Sequence, residues 1–187
     1  MTGWQRLFPV RGRRDKMLRQ LFFLRKPAES GGRNYAYPTE DLEVGNWTPS
    51  TGSSLYACVD EDPYSDSDYI SLLGADSSLT RSCYLKLGAL TDPGVNTGHK
   101  LSIRWHGSPE WGKREECYFL LYQDSTEICR IQKWLVETSV FTTEEHSLSE
   151  AEANRITDYT KLKVRILSVS IADHDFHVSW IRFEVPE

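Results

Sequence analysis

Lys161-Leu162-Lys163-Val164-Arg165-Ile166 sets a base against an aliphatic side chain at every second position. Successive side chains of an extended chain point to opposite faces, so this spacing belongs to a strand with one face in a core and one in water. Lys100-Leu101-Ser102-Ile103-Arg104-Trp105 repeats the pattern, and Cys83, Leu85 and Leu87, then Cys117, Phe119 and Leu121, make two more faces of the same period. Further strands are expected at 55–59, 68–72, 128–134, 140–143 and 177–185. Near the last, Phe176, Val178 and Trp180 share one parity and Ile181, Phe183 and Val185 the other. A bulge near Trp180, or a strand passing between two sheets, accounts for the switch.

Residues 17–24 could form a short helix or an added strand, and only one other segment gives a convincing helix. Ser147-Leu148-Ser149-Glu150 and Ser149-Glu150-Ala151-Glu152 both fit a capping box, in which hydroxyl and acid satisfy each other's free backbone N–H groups. Many short strands with a single short helix define an all-β fold, an antiparallel β-sandwich of jelly-roll type.

Charge divides the chain. Residues 1–33 hold nine Arg or Lys against two acids, whereas residues 34–187 hold 13 bases and 25 acids. With 187 residues, the chain has room for one domain and a tail. The expected organisation is a basic N-terminal arm at 1–33, hinged at Ser30-Gly31-Gly32, and a β-sandwich domain at 34–187. Candidate partner-binding residues of the arm are Arg11, Arg13, Arg14, Lys16, Arg19, Arg25 and Lys26, with Leu21, Phe22 and Phe23 as its apolar centre. Ordering such a segment costs about 1–2 kcal/mol per residue in backbone entropy, so it is expected to order only against a partner. Asp60, Glu61, Asp62, Asp66 and Asp68 are a candidate acidic socket for a neighbour's arm. Carboxylates at alternate positions can also ligate calcium, but the glycine turn and terminal glutamate of an EF-hand loop are missing.

Motifs for chemistry are absent. There is no Gly-x-Ser-x-Gly, no Gly-rich phosphate loop and no His-Glu-x-x-His, so neither enzymatic activity nor a cofactor is expected. Asp173-His174-Asp175-Phe176-His177 reads as a polar hairpin turn rather than a metal site, and no metal is expected. Cys58, Cys83, Cys117 and Cys129 form no Cys-x-x-Cys pair and are expected to be reduced and buried. Trp105, Trp134 and Trp180 lie in strand patterns and are expected in the core. Trp47 and Trp111 lie in turn-like contexts and are the candidate surface aromatics. No apolar run approaches the roughly 18 residues needed to span a bilayer, and the run at 18–24 is broken by Arg19 and Gln20. Neither a membrane partner nor a secretion signal is therefore expected.

Trp47-Thr48-Pro49-Ser50-Thr51-Gly52-Ser53-Ser54-Leu55-Tyr56-Ala57-Cys58-Val59-Asp60-Glu61, followed by Asp66-Ser67-Asp68-Tyr69-Ile70, resembles β-sandwich domains of tailed-phage and prophage virion proteins. Leu87 to Pro93 with Gly98-His99, Thr143 to Ala151, Ile156-Thr157-Asp158-Tyr159 and Val178 to Pro186 extend the resemblance over residues 47–186. It implies a non-enzymatic virion structural protein, made in a host cytoplasm. A capsid decoration or cement protein whose arm bridges subunits is the leading form, and a neck or tail attachment protein is the variant. The implied partners are other capsid or neck subunits, and the opposite charges of arm and body suit contacts between copies in a symmetric homo-oligomer such as a trimer. Two alternatives stand beside it. One is a carbohydrate-binding β-sandwich module using Trp47 or Trp111. The other is nucleic-acid binding by the arm, which requires affinity that falls steeply with salt.

Overall fold

The computed structural model of the chain describes residues 34–73, 80–108, 115–135, 140–169 and 175–187. The arm residues, Trp111 and the pair Asp173 and His174 lie outside the described residues.

Strands β1 (Tyr35–Ala36), β2 (Pro38–Glu43), β3 (Thr48–Pro49), β4 (Ile70–Leu73), β5 (Thr80–Leu87), β6 (Lys100–Ser108), β7 (Glu115–Gln123), β8 (Thr126–Leu135), β9 (Thr142–Ser147), β10 (Leu162–Val169) and β11 (Asp175–Glu184) form two sheets. One is six-stranded, in the order β3-β4-β11-β6-β9, with β1 also paired to β11. The other is five-stranded, in the order β2-β5-β10-β7-β8. Every pairing is antiparallel. The expected β-sandwich is present. Only Tyr37 separates β1 in one sheet from β2 in the other, so the chain changes layer within a single residue.

The alternation of apolar residues sets the inner faces. Cys83, Leu85, Leu87, Cys117, Phe119, Leu121, Leu162, Val164 and Ile166 from the five-stranded sheet are all buried against Leu101, Ile103, Trp105, Phe176, Val178, Ile181 and Phe183 from the other. Aromatic rings form the centre of this core. Trp105, Phe119 and Phe176 lie 5.9 Å from one another, and Trp47 meets Phe176 edge-on at 5.2 Å. Such edge-to-face pairs add to the stabilisation that burial alone gives. The four cysteines are free and buried. Burial pushes their thiols up, that of Cys129 to about 12. Lys133 on β8 and Glu144 on β9 join the edge strands of the two sheets at 2.6 Å.

Three expectations need correction. Residues 55–59 are not a strand: Tyr56–Cys58 is a 3-10 turn. Its buried residues Leu55, Cys58 and Val59 recur at the helical spacing i, i+3, i+4, and the Asp41 carboxylate accepts hydrogen bonds from the Leu55 and Tyr56 amides at 2.8 and 2.7 Å. Trp47, a candidate surface aromatic, is 2% exposed and plugs the core. Trp134, expected in the core, is 47% exposed. The pairing of β7 with β8 shifts register beside Leu121 and Tyr122. As a result Ile128 and Cys129 are both buried, and Trp134 turns outward with Arg130 and Gln132.

The bulge near Trp180 is present as a register shift between Val178 and Trp180. It returns Ile181 and Phe183 to the core. A fourth expectation is also corrected, because the shift puts Trp180, expected in the core, on the outer face, 5% exposed but outside the core cluster. The helix α1 (Glu150–Ala153) has the full capping box, with the Ser149 hydroxyl accepting from the Glu152 amide and the Glu152 carboxylate accepting from the Ser149 amide.

Candidate binding face on the five-stranded sheet

With one parity of β5, β10, β7 and β8 committed to the core, the other parity must face outward. Strand register then fixes which outward residues are neighbours. One row runs Lys86, Lys163, Tyr122, Glu127, and the next Tyr84, Arg165, Leu120, Arg130. Below them come Ser82, Leu167, Tyr118, Gln132, and then Val169, Glu116, Trp134. Three tyrosines and a half-exposed tryptophan are thus interleaved with lysine and arginine on one pleated surface.

Contacts within the face hold the rings and cations in place. Lys163 Nζ lies 5.1 Å and Arg165 Cζ 5.2 Å from the ring centre of Tyr84, within the range where a cation is attracted to an aromatic ring. The Tyr84 and Tyr122 rings are 6.2 Å apart. Arg130 lies 5.5 Å over Tyr118 and donates to both carboxylate oxygens of Glu127, at 3.1 and 3.0 Å. Those hydrogen bonds hold the Glu127 carboxyl below the usual carboxylate range. The Tyr122 hydroxyl donates to Glu127 at 3.3 Å, and burial followed by the Glu127 charge pushes the phenol up. The Tyr118 hydroxyl donates to Glu116. Leu120 faces outward yet is only 2% exposed and lies outside the core cluster. At the Lys86 and Lys163 end the face opens into a shallow pocket of 320 Å³ bounded by Glu40, Lys86, Asp124, Thr160 and Lys161.

Aromatic faces offer apolar contact to the C–H surfaces of a sugar ring, and the surrounding charged groups offer donors and acceptors to its hydroxyls. Tyr118 and Tyr122 are four residues apart on one strand, so they span about 13 Å, more than one pyranose ring.

The opposite face of the sandwich is built differently, because the loop at 60–69 covers part of it. Arg104 donates to both oxygens of Asp66 at 2.6 Å and lies 4.3 Å over the Tyr64 ring. Trp180 donates its indole N–H to the Glu61 carbonyl at 2.8 Å and is 5% exposed under Tyr37, Tyr64 and Arg182. Asp68 accepts from Ser50 and Thr51 at 2.9 and 2.8 Å. Of the acidic residues read as a socket, Asp66 and Asp68 bond to this chain's own groups. Asp62 lies beside Tyr37, and its negative charge helps to raise that phenol, after burial, to about 12. Further along this face the rings of His106 and His177 stack at 4.6 Å, flanked by Tyr69 and Phe141. No cluster of three or more His, Cys, Asp or Glu able to hold a metal occurs among the described residues.

The candidate face lies on strands, not in the turns where Trp47 and Trp111 are expected to be exposed. The signal was present in strands already recognised. Tyr118 and Tyr122 alternate with Cys117, Phe119 and Leu121, and Tyr84 with Cys83 and Leu85. An aromatic repeatedly placed at the outward parity is the pattern to seek.

No protein-family model matches the chain, and no curated protein matches it. Solved structures do. An arabinose-bound α-L-arabinofuranosidase aligns with a TM-score of 0.50 at 11% identity, over 83% of this chain and 27% of that one. A family 11 carbohydrate-binding module from Clostridium thermocellum, solved with a β-1,3-1,4-mixed-linked tetrasaccharide, aligns at 0.43 and 11% identity over 84% and 92% of the two chains. The enzymatically active domain of a bacteriophage tailspike protein aligns at 0.45 and 7% identity over 82% and 19%. The arabinofuranosidase likeness supports the β-sandwich fold alone.

Proposed function

We propose that this chain is a non-catalytic β-sandwich module that binds carbohydrate on the outer face of its five-stranded sheet. The observation that carries the reading is the outward placement of Tyr84 on β5 and of Tyr118 and Tyr122 on β7, interleaved with Lys163 and Arg165 on the intervening β10 and Arg130 on β8. Rings held by neighbouring cations lose little freedom on binding, which lowers the entropic cost of gripping a flexible sugar chain. The platform therefore lies on the sheet and not at Trp47, which is in the core. A glycan array probed with the full chain tests this. Reproducible hits that disappear in Tyr118→Ala and Tyr122→Ala support it, and hits unchanged by both substitutions contradict it.

A second reading is a virion structural role, as a capsid decoration protein or a neck or tail attachment protein. It is favoured by the sequence pattern across 47–186 and by nine bases against two acids in residues 1–33, set before a domain with 25 acids and 13 bases. Mutual contacts between basic arms and acidic bodies suit a homo-oligomer. Co-sedimentation of the purified chain with assembled shells, lost on deletion of residues 1–33, is its test. A chain that never sediments with shells contradicts it.

A further inference from the structure

We infer that the ligand of this face is an anionic glycan, a chain of pyranose rings carrying carboxylate or sulfate groups. The inference rests on the carbohydrate-binding reading and narrows it. Residues 34–187 hold 25 acids to 13 bases, yet the centre of the face is cationic. Lys163 and Arg165 occupy consecutive outward positions of β10, the middle strand of the sheet. Among the described residues no carboxylate lies at ion-pair distance from either one. The cations around them are matched: Lys86 by Glu40 at 3.3 Å, Arg130 by Glu127 at 3.0 Å, and Lys161 by Asp158 at 3.4 Å. Among the described residues of the face, the unmatched positive charge therefore lies at the two central positions.

Three further features fit an arriving anion. Lys163 pairs directly opposite Lys86 in the register, and like charges directly opposite destabilise a sheet. An anion between the two ammonium groups would relieve that repulsion. Arg165 donates to the Ser82 hydroxyl at 3.3 Å and also interacts with the Tyr122 hydroxyl, but its Nε is buried without a partner. Its planar fork suits a carboxylate or sulfate, whereas a neutral sugar hydroxyl would leave much of that capacity unused. Finally, the pocket of 320 Å³ at the Lys163 end is bounded by three lysines and two carboxylates. Lys86 is matched by Glu40, and Lys161 by Asp158 and Asp124. Lys163 is therefore the lysine of this pocket without a carboxylate partner among the described residues, and the pocket has room for a substituent projecting from a ring stacked on Tyr122.

The test is affinity electrophoresis of the full chain in gels containing polygalacturonate, dextran sulfate or neutral mixed-linkage β-glucan. At least one of the two anionic polymers should retard the chain, an effect weakened several-fold between low and moderate salt, and the neutral one should retard it little. Arg165→Gln and Lys163→Gln should each lose about tenfold in affinity, while thermal unfolding shows both variants folded. Retardation by polygalacturonate alone identifies a carboxylate ligand, and by dextran sulfate alone a sulfate ligand. Equal or stronger retardation by β-glucan, unaffected by Arg165→Gln, overturns the anionic inference and leaves the carbohydrate-binding reading standing. No retardation by any polymer, together with an empty glycan array, overturns both.

Discussion

Arg165 carries its guanidinium 5.2 Å from the ring centre of Tyr84, and the two residues are direct cross-strand partners on β10 and β5. Lys163 reaches the same ring from two residues earlier, at 5.1 Å. Tyr84 thus orients both unmatched cations of the face. Tyr84→Phe keeps the ring and should bind glycan nearly as well as the native chain. Tyr84→Ala should lose about tenfold or more, and calorimetric titration of both variants separates ring from hydroxyl.

Trp47 and Trp134 make opposite predictions for stability. Trp47→Ala empties a fully buried site and should cost about 3–5 kcal/mol. Trp134→Ala removes a ring that is 47% exposed and should cost no more than about 1 kcal/mol. Urea unfolding of the two variants measures the difference, and equal losses would show that one of them is misplaced.

Much of the fold was legible because a strand with one buried face declares itself by period. β5, β6, β7, β10 and the bulge in β11 follow from alternation alone. Residues 55–59 deceived because an apolar run of five does not reveal whether its period is two or closer to four. The capping Asp41 lies 14 residues before Leu55, beyond any local pattern. β2 is an edge strand with mostly exposed residues, so it had no alternation to read. The candidate face was half legible. Its residues were correctly placed in strands, but Trp134 could not be assigned an outward position without knowing the register shift beside Leu121.

Acid should weaken the fold in two stages. Burial holds His99, His106 and His177 below the ordinary imidazole value, with His106 adding to the effect at His177. A folded-state pKa below the unfolded one means that the unfolded chain takes up the proton first. Stability is then full above about pH 6.5 and falls as pH drops through the folded values. His106→Phe with His177→Phe should shrink this first stage to the share of His99, as read from urea midpoints against pH.

The second stage belongs to carboxylates. The hydrogen bonds from Arg104, then that from Ser179, hold Asp66 below its usual range. Its contribution is therefore present above about pH 4 and lost as pH falls through the lowered value. Asp66→Asn should lower stability at neutral pH by about 1 kcal/mol and reduce the dependence below pH 4. An unchanged acid limb would show that the Arg104 pair does not brace the loop.

Buried thiols should be silent in the native state. Cys83, Cys117 and Cys129 are 0, 0 and 3% exposed and Cys58 is 1% exposed, with thiols raised by burial. A thiol-reactive chromogen should therefore label none of the four until denaturant is added. Rapid labelling of any of them in the folded chain would contradict its placement.

The central claim is that the outward tyrosines of the five-stranded sheet, not the turns, hold a sugar chain. Retention of the full chain on immobilised polysaccharides, compared with a Tyr118→Ala, Tyr122→Ala double variant of unchanged thermal stability, tests it most directly. The native chain should be retained by at least one polysaccharide and the double variant should pass through. Equal retention of both, or retention of neither, would contradict it.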